Sequence, residues 1–190
     1  MGSIDPRHLL IKVAEILERL GIPYAVTGGI AVFIWGKPRF TADIDIITLI
    51  QVNDIGGLVK ELRKLSEYSY VDESAIRDAF IRNGEFNFID GASGIKVDFW
   101  ILKRGGFNKI QIERRIPRVV LGKKVYFVSP EDLILNKLLW YKEGESVKQK
   151  EDIKTILKFQ KKLDRNYLRK WAKFHSTFQT LEELWKKSEK

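Results

Sequence analysis

The sequence predicts an α+β fold, with strands and helices mixed over residues 1–128 and a helical C-terminal lobe over 129–190 packed on that core. Three observations carry this. The β-branched segments "ADIDIITLI", "IKVDFWIL" and "RVVLGKKVYFV" all precede residue 129. Apolar residues at helical spacing flank and separate them, and after "SPEDL" only the helical period remains. A chain of 190 residues suits one domain with a substantial core, or a domain with an appendage.

Taken in order, "DPRHLLIKVAEILERLG" reads as a helix. Asp5 caps it, Pro6 suits the first turn, the apolar residues from Leu9 to Leu20 recur at helical spacing, and Gly21 ends it. "IPYAV" follows as a short strand, and Gly28 with Gly29 opens a second helix, "IAVFIWG". "ADIDIITLI" is a strand, residues 54–66 a helix, and "FNFID" and "IKVDFWIL" two strands joined through Gly91 and Gly94. "RVVLGKKVYFV" predicts a hairpin turning at Gly122 and Lys123.

Composition narrows the chemistry. There is no cysteine, which excludes disulfides, zinc–thiolate sites and thiol nucleophiles, and His8 and His175 are the only imidazoles. No apolar run is long enough to span a bilayer and "MGSIDPRHLL" lacks the character of a signal peptide, so the expected location is cytoplasmic, with no membrane partner. The net charge of +9 is unevenly spread: residues 1–102 hold 11 Lys and Arg against 14 Asp and Glu, a balance of −3, and residues 103–190 hold 23 against 11, a balance of +12. A basic surface of this kind concentrates polyanions such as nucleotides or RNA, and it also fits the lysine-rich solvated surface of heat-adapted proteins.

Against that background the acids of the first half stand out. Side chains alternate along a strand, so Asp43 and Asp45 share one face, about 7 Å apart, while Ile44 and Ile46 share the other. In "IKVDFWIL", Ile95, Val97, Phe99 and Ile101 share a face and Asp98 lies opposite them. If the two strands are neighbours, three carboxylates converge and repel one another unless a cation lies among them. Hard oxygen ligands suit Mg2+ or Mn2+, and a pair of such ions about 3.5–4 Å apart stabilises both oxygens of a phosphoryl or nucleotidyl transfer. Upstream, Gly28 and Gly29 sit where a strand hands over to a helix, so their backbone can approach a phosphate closely at a helix N-terminus.

The run "GGIAVFIWGKPRFTADIDI" resembles the signature of the nucleotidyltransferase superfamily, whose fold is that of DNA polymerase β: a glycine pair, about a dozen residues, and Asp-x-Asp on the next strand. Within it, Arg39, Thr41 and "DID" are similar to the minimal, aminoglycoside and lincosamide nucleotidyltransferases and to the AbiEii-type toxins of toxin–antitoxin pairs. The match is specific over residues 24–102 and looser beyond. The resemblance implies a mixed-sheet core. It makes Asp43, Asp45 and Asp98 catalytic metal ligands, and Gly28, Gly29, Arg39 and Thr41 nucleotide-binding residues. It also implies transfer of an NMP group from an NTP to a hydroxyl of RNA, tRNA, a protein or a small molecule, and an antitoxin as a partner. The alternatives are a non-catalytic RNA- or protein-binding module on the same fold, and a metal-dependent glycosyltransferase.

Two residues of the lobe join the candidates. In "SPEDLILNKLLWYKEGE", Ser129, Pro130, Glu131 and Asp132 read as a helix start, and the helical wheel sets Lys137 inside the apolar arc with Asp132 and Asn136 on the polar side. A lysine there either snorkels past the core or points into a pocket; in the resembling toxins a lysine on this helix belongs to the active site, which implies a phosphate contact for Lys137. Asp152 lies in the apolar stripe of "VKQKEDIKTILKFQ" and needs a partner, Lys137 or Lys150, as a structural ion pair or as an accessory to acceptor binding. The aromatic residues from Trp171 to Trp185 read as lobe core.

Overall fold

A computed structural model describes residues 5–102 and 105–188, so residues 1 and 190, the outer limits of the two predicted segments, lie outside it. In chain order the helices are α1 (Pro6–Arg19), α2 (Gly28–Trp35), α3 (Ile55–Arg63), α4 (Glu73–Arg82), α5 (Gly106–Glu113), α6 (Pro130–Gly144), α7 (Val147–Phe159), α8 (Arg165–Phe174) and α9 (Phe178–Ser188). The strands are β1 (Tyr24–Val26), β2 (Ile44–Thr48), β3 (Glu85–Ile89), β4 (Lys96–Ile101), β5 (Ile116–Val120) and β6 (Lys123–Phe127). Contacts divide the chain into two units, Met1–Thr27 with Thr41–Phe127, and Gly28–Phe40 with Val128–Lys190.

The first unit is built on a mixed six-stranded sheet in the order β3-β4-β2-β1-β6-β5. β2 runs parallel to β4, and β3 runs antiparallel to β4, as the turn between them requires. One face is apolar because each strand alternates: Ile44, Ile46, Phe86, Phe88, Val97, Phe99 and Ile101 are all buried. Phe86 and Phe99, register partners across β3 and β4, stack with centroids 4.7 Å apart. α1 forms as the sequence predicts, capped by the Asp5 carboxylate on the Arg7 amide and burying Leu9, Leu10, Val13, Ile16 and Leu17.

Three local features depart from the sequence reading. α4 is unanticipated, because it buries only Ile76 and Ala79 and so shows almost no apolar stripe; α5 is equally thin, burying Phe107, Gln111 and Ile112. The β5–β6 hairpin turns at Leu121 and Gly122, not at Gly122 and Lys123. Both turn residues have positive φ, 46° and 81°, as a two-residue hairpin of this hand needs, and Lys123 is held in the ladder opposite Val120. α3 is shorter than predicted, beginning after a 3-10 turn at Val52–Asp54 and ending at Arg63.

The second unit is helical. α2, apolar on every side, is buried except at Phe33 and Ile34, and its C-terminal end is held by the Trp35 indole donating to the Val128 carbonyl (2.9 Å) and by Gln160 donating to the Trp35 carbonyl (2.6 Å). Ser129 caps α6 through the Asp132 amide, as expected. The wheel's polar side on α6 is wrong, however: Asp132 and Asn136 are buried. Asp132 accepts from the Ser129 and Tyr167 hydroxyls, so α8 satisfies what solvent was expected to satisfy. In the aromatic run, Trp171 and Leu181 are core while Phe174 is exposed.

Gly91 is the position at which backbone approach is tightest. A Cβ there would lie 2.1 Å from the Glu67 carbonyl oxygen and 2.6 Å from the Tyr68 carbonyl carbon, and no side-chain rotation relieves a clash with backbone. Gly91→Ala is expected to destabilise the protein by at least about 2 kcal/mol, towards the upper end of overpacking costs, in chemical denaturation. Gly84→Ala, with nothing within 4 Å of its Cβ, is expected to stay within about 0.5 kcal/mol of the parent.

Candidate active site

In the first unit the acids lie where strand pairing brings them. Asp45 on β2 and Asp98 on β4 are register partners in a parallel pair, so both side chains leave the same face of adjacent strands, about 4.8 Å apart at the backbone. The opposite face carries Ile44, Ile46, Val97 and Phe99, all fully buried, which opposes a one-residue slip: either strand that shifted would send its own carboxylate into the core. Asp43 immediately precedes β2 and is exposed, and Asp45 and Asp98 are half-buried. Thr41 donates through its hydroxyl to the Asp43 carbonyl (3.3 Å), so it shapes the approach to the strand.

A cation already lies among these acids. Lys96 precedes Asp98 by two residues and therefore shares its face, and its ammonium lies 2.8 Å from an Asp98 carboxylate oxygen. The hydrogen bond to Asp98, then the charges of Asp98, Asp43 and Asp45, raise the Lys96 pKa above the ordinary lysine value against a smaller lowering from burial. On the other side of Asp98, Asn87 of β3 is its register partner and adds an uncharged amide. Lys96 and Asn87 escaped the sequence reading although the signal was present, since both follow from the strand alternation that picked out Asp98.

The donor chemistry fits a hard divalent ion: carboxylate and amide oxygens, with no thiolate in the chain. Among the described residues no three Asp, Glu or His side chains are already gathered into a metal cage. Binding therefore asks Asp43 to turn inward and Lys96 to leave Asp98. Thr27, missed by the sequence reading, closes this unit's strand β1: its amide donates to the Asp45 carbonyl (2.9 Å), and its hydroxyl is fully buried without a hydrogen-bond partner among the described residues. A buried orphan hydroxyl immediately ahead of a glycine pair is a polar group awaiting a partner.

In the second unit Gly28 and Gly29 open α2, both buried. Gly28 has φ 61°, a left-handed backbone that a side chain would strain. Further along, Arg39, Lys137 and Asp152 form one cluster. The Arg39 guanidinium grips Asp152 with two hydrogen bonds, 2.8 and 2.9 Å, and the Lys137 ammonium lies 2.8 Å from the second carboxylate oxygen. Lys137 also donates to the Gln149 side chain (2.9 Å) and lies 5.2 Å from the Trp140 ring centroid. Burial pushes the Asp152 carboxyl up, but the Arg39 hydrogen bonds and the charge and hydrogen bond of Lys137 outweigh it, so the pKa falls below the usual carboxylate value. Of the two expected partners of Asp152, Lys137 is the one found; Lys150 instead stands over the Tyr141 ring at 4.3 Å.

No protein-family profile matches the chain. No curated protein matches it either. Solved structures do. The solution structure of the antibiotic-resistance factor ANT(2'')-Ia matches with a TM-score of 0.61 at 16% identity, over 93% of this chain and 95% of that one. An antigenic nucleotidyltransferase-like protein from Paracoccidioides brasiliensis matches with a TM-score of 0.58 at 18% identity, over 98% and 94%. The lincosamide antibiotic adenylyltransferase LnuA, bound to lincomycin, matches with a TM-score of 0.53 at 14% identity, over 84% and 100%. At these identities the likeness is one of fold: the mixed sheet and its helices match those of these three structures.

Proposed function

We propose that the protein is a Mg2+- or Mn2+-dependent nucleotidyltransferase that moves an NMP group from an NTP to a hydroxyl acceptor. The observation that supports this reading best is the register pairing of Asp45 with Asp98 on parallel strands, with Asp43 two residues before Asp45. Two like charges side by side are costly without a cation; Lys96 meets that need at Asp98 in the metal-free protein, and on a fold shared with nucleotidyltransferases a catalytic metal would take its place.

Each residue then has a role. Asp43, Asp45 and Asp98 hold the ion, and Gly28 and Gly29 present backbone N–H groups to phosphate. Arg39 and Lys137 supply positive charge, Thr41 shapes the entry to β2, and Asp152 orients Arg39 and Lys137 as an accessory residue. When bound, the metal polarises the α-phosphate and neutralises charge on the leaving group. Asp98 accepts the proton of the acceptor hydroxyl; that oxygen bonds to the α-phosphorus, the bond to the bridging oxygen breaks, and pyrophosphate leaves. Positioning and electrostatics supply most of the rate.

For the acceptor, ANT(2'')-Ia has been solved in complex with adenylyl-2''-tobramycin and LnuA with lincomycin, which favours a small hydroxylated molecule. The balance of +12 over residues 103–190 favours a polyanion such as RNA or tRNA. A role as the toxin of a toxin–antitoxin pair belongs with the second choice. Among the described residues no helix is long and apolar enough to cross a membrane. The non-catalytic alternative, a binding module on the same fold, predicts no turnover with any acceptor.

The test is label transfer from each α-labelled NTP, with Mg2+, to total RNA, lysate protein and a panel of hydroxylated small molecules. Transfer is expected with one acceptor class, and Asp45→Asn or Asp98→Asn is expected to lower it by at least about 100-fold. Absence of any metal-dependent triphosphate binding would reject the enzyme reading. Asp152→Asn leaves the buried Lys137 ammonium and the half-buried Arg39 guanidinium without their anion and is expected to cost about 3 kcal/mol of stability in denaturant melts. Because its folded pKa is depressed, the Asp152 contribution is fully present above the ordinary carboxylate pKa of about 4 and is lost as pH falls through the lower folded value. The parent's stability should therefore fall with acid below about pH 4, more steeply than that of Asp152→Asn.

A further inference from the structure

We infer that Lys96 is the resident counter-ion of the Asp43, Asp45 and Asp98 face, and that its ammonium competes with a divalent ion for the Asp98 carboxylate. This rests on the metal-site reading above and adds to it a residue that sets how tightly the ion binds.

The geometry is direct. Lys96 and Asp98 leave the same face of β4, and Nζ sits 2.8 Å from Asp98 Oδ2. Asp45 is the register partner of Asp98, and extending the same parallel register by one residue sets Asp43 opposite Lys96. One ammonium is therefore bound to Asp98 and set on the face and at the register from which Asp43 and Asp45 also project. No other Lys, Arg or His lies on β2, β3 or β4. The β3 residues opposite are Asn87 and Ile89, which carry no charge, and Glu85, which adds a further negative one.

The side chain can also leave. The Lys96 side chain is 41% exposed and that of Asp98 only 16%, so the carboxylate is fixed while the ammonium has water to swing into. A cation that offsets the charge of Asp98 in the metal-free protein relieves part of the carboxylate repulsion across the parallel strands. The same contact obstructs a metal, because the ammonium and the ion seek the same oxygens. Metal binding thus exchanges one cation for another. The affinity is set by the difference between the two, not by the carboxylates alone.

The experiment is Mn2+ binding to the full chain, followed by the loss of the free Mn2+ paramagnetic signal without nucleotide, for the parent, Lys96→Met, Lys96→Arg, Asp98→Asn and Asp45→Asn. Lys96→Met is expected to bind Mn2+ about three- to tenfold more tightly than the parent. Lys96→Arg, which keeps a cation, is expected to stay near the parent, and Asp98→Asn to bind more weakly. In thermal melts Lys96→Met is expected to unfold lower than the parent in chelator and to gain more from added Mn2+, which also reports that the variant folds. Unchanged or weaker Mn2+ binding by Lys96→Met, while Asp98→Asn loses affinity, would overturn the counter-ion role and leave the metal site standing. Equal binding by the parent, Asp98→Asn and Asp45→Asn, or no binding by any variant, would overturn the metal-site reading itself.

Discussion

The parallel pairing of β2 with β4 is the constraint on which the functional account depends. It sets Asp45 beside Asp98, an arrangement that strand physics disfavours, since like charges directly opposite one another destabilise a sheet. What enforces it is the other face. Ile44, Ile46, Val97 and Phe99 are fully buried, and a one-residue slip of either strand would turn its own two out of the core. Apolar burial therefore presses two carboxylates together. A protein with no use for that repulsion would lose nothing by carrying an amide at one of the two positions.

The two units balance charge in opposite ways. On the sheet, strand pairing gathers carboxylates and Lys96 stands against one of them, Asp98, so the charges there are chiefly negative oxygen donors of the kind a divalent ion takes. Among the helices, Arg39 and Lys137 meet the single carboxylate of Asp152, which leaves an excess of positive charge suited to phosphate. On the sheet Lys96 would have to leave Asp98 for a divalent ion to bind, whereas the hydrogen bonds at 2.8–2.9 Å around Asp152 fix that cluster in place beforehand. Such pre-positioned charge is what nucleotidyl transfer needs, because the reaction asks the protein chiefly to hold a triphosphate and neutralise it.

Much of this was legible in the chain. Alternation alone separated Asp43, Asp45 and Asp98 from the core residues between them, and the glycine pair ahead of "DID" pointed to the nucleotidyltransferase fold that the structural neighbours share. The helical wheel set Lys137 and Asp152 in apolar arcs and offered Lys137 or Lys150 as the partner of Asp152, of which Lys137 is the one found. What stayed hidden was tertiary. Arg39 reaches Asp152 across 113 residues of sequence, and no local pattern announces such a pairing. Asp132 and Asn136 read as solvent-facing because a wheel shows one helix, whereas α6 is covered on the polar side as well. α4 and α5 bury too few apolar residues to show a period. Lys96 is the instructive omission: the alternation that selected Asp98 selects it too, but a lysine on a strand edge reads as a solvated charge until its neighbours are known.

The central claim, that Asp45 and Asp98 share a divalent ion, is tested most directly by anomalous diffraction from crystals soaked in Mn2+ with a non-hydrolysable triphosphate. The account predicts a peak within about 2.0–2.3 Å of a carboxylate oxygen from each of the two residues, with the Lys96 ammonium moved off Asp98. A peak bound elsewhere, or bound by one of the two while the other keeps Lys96, would contradict it.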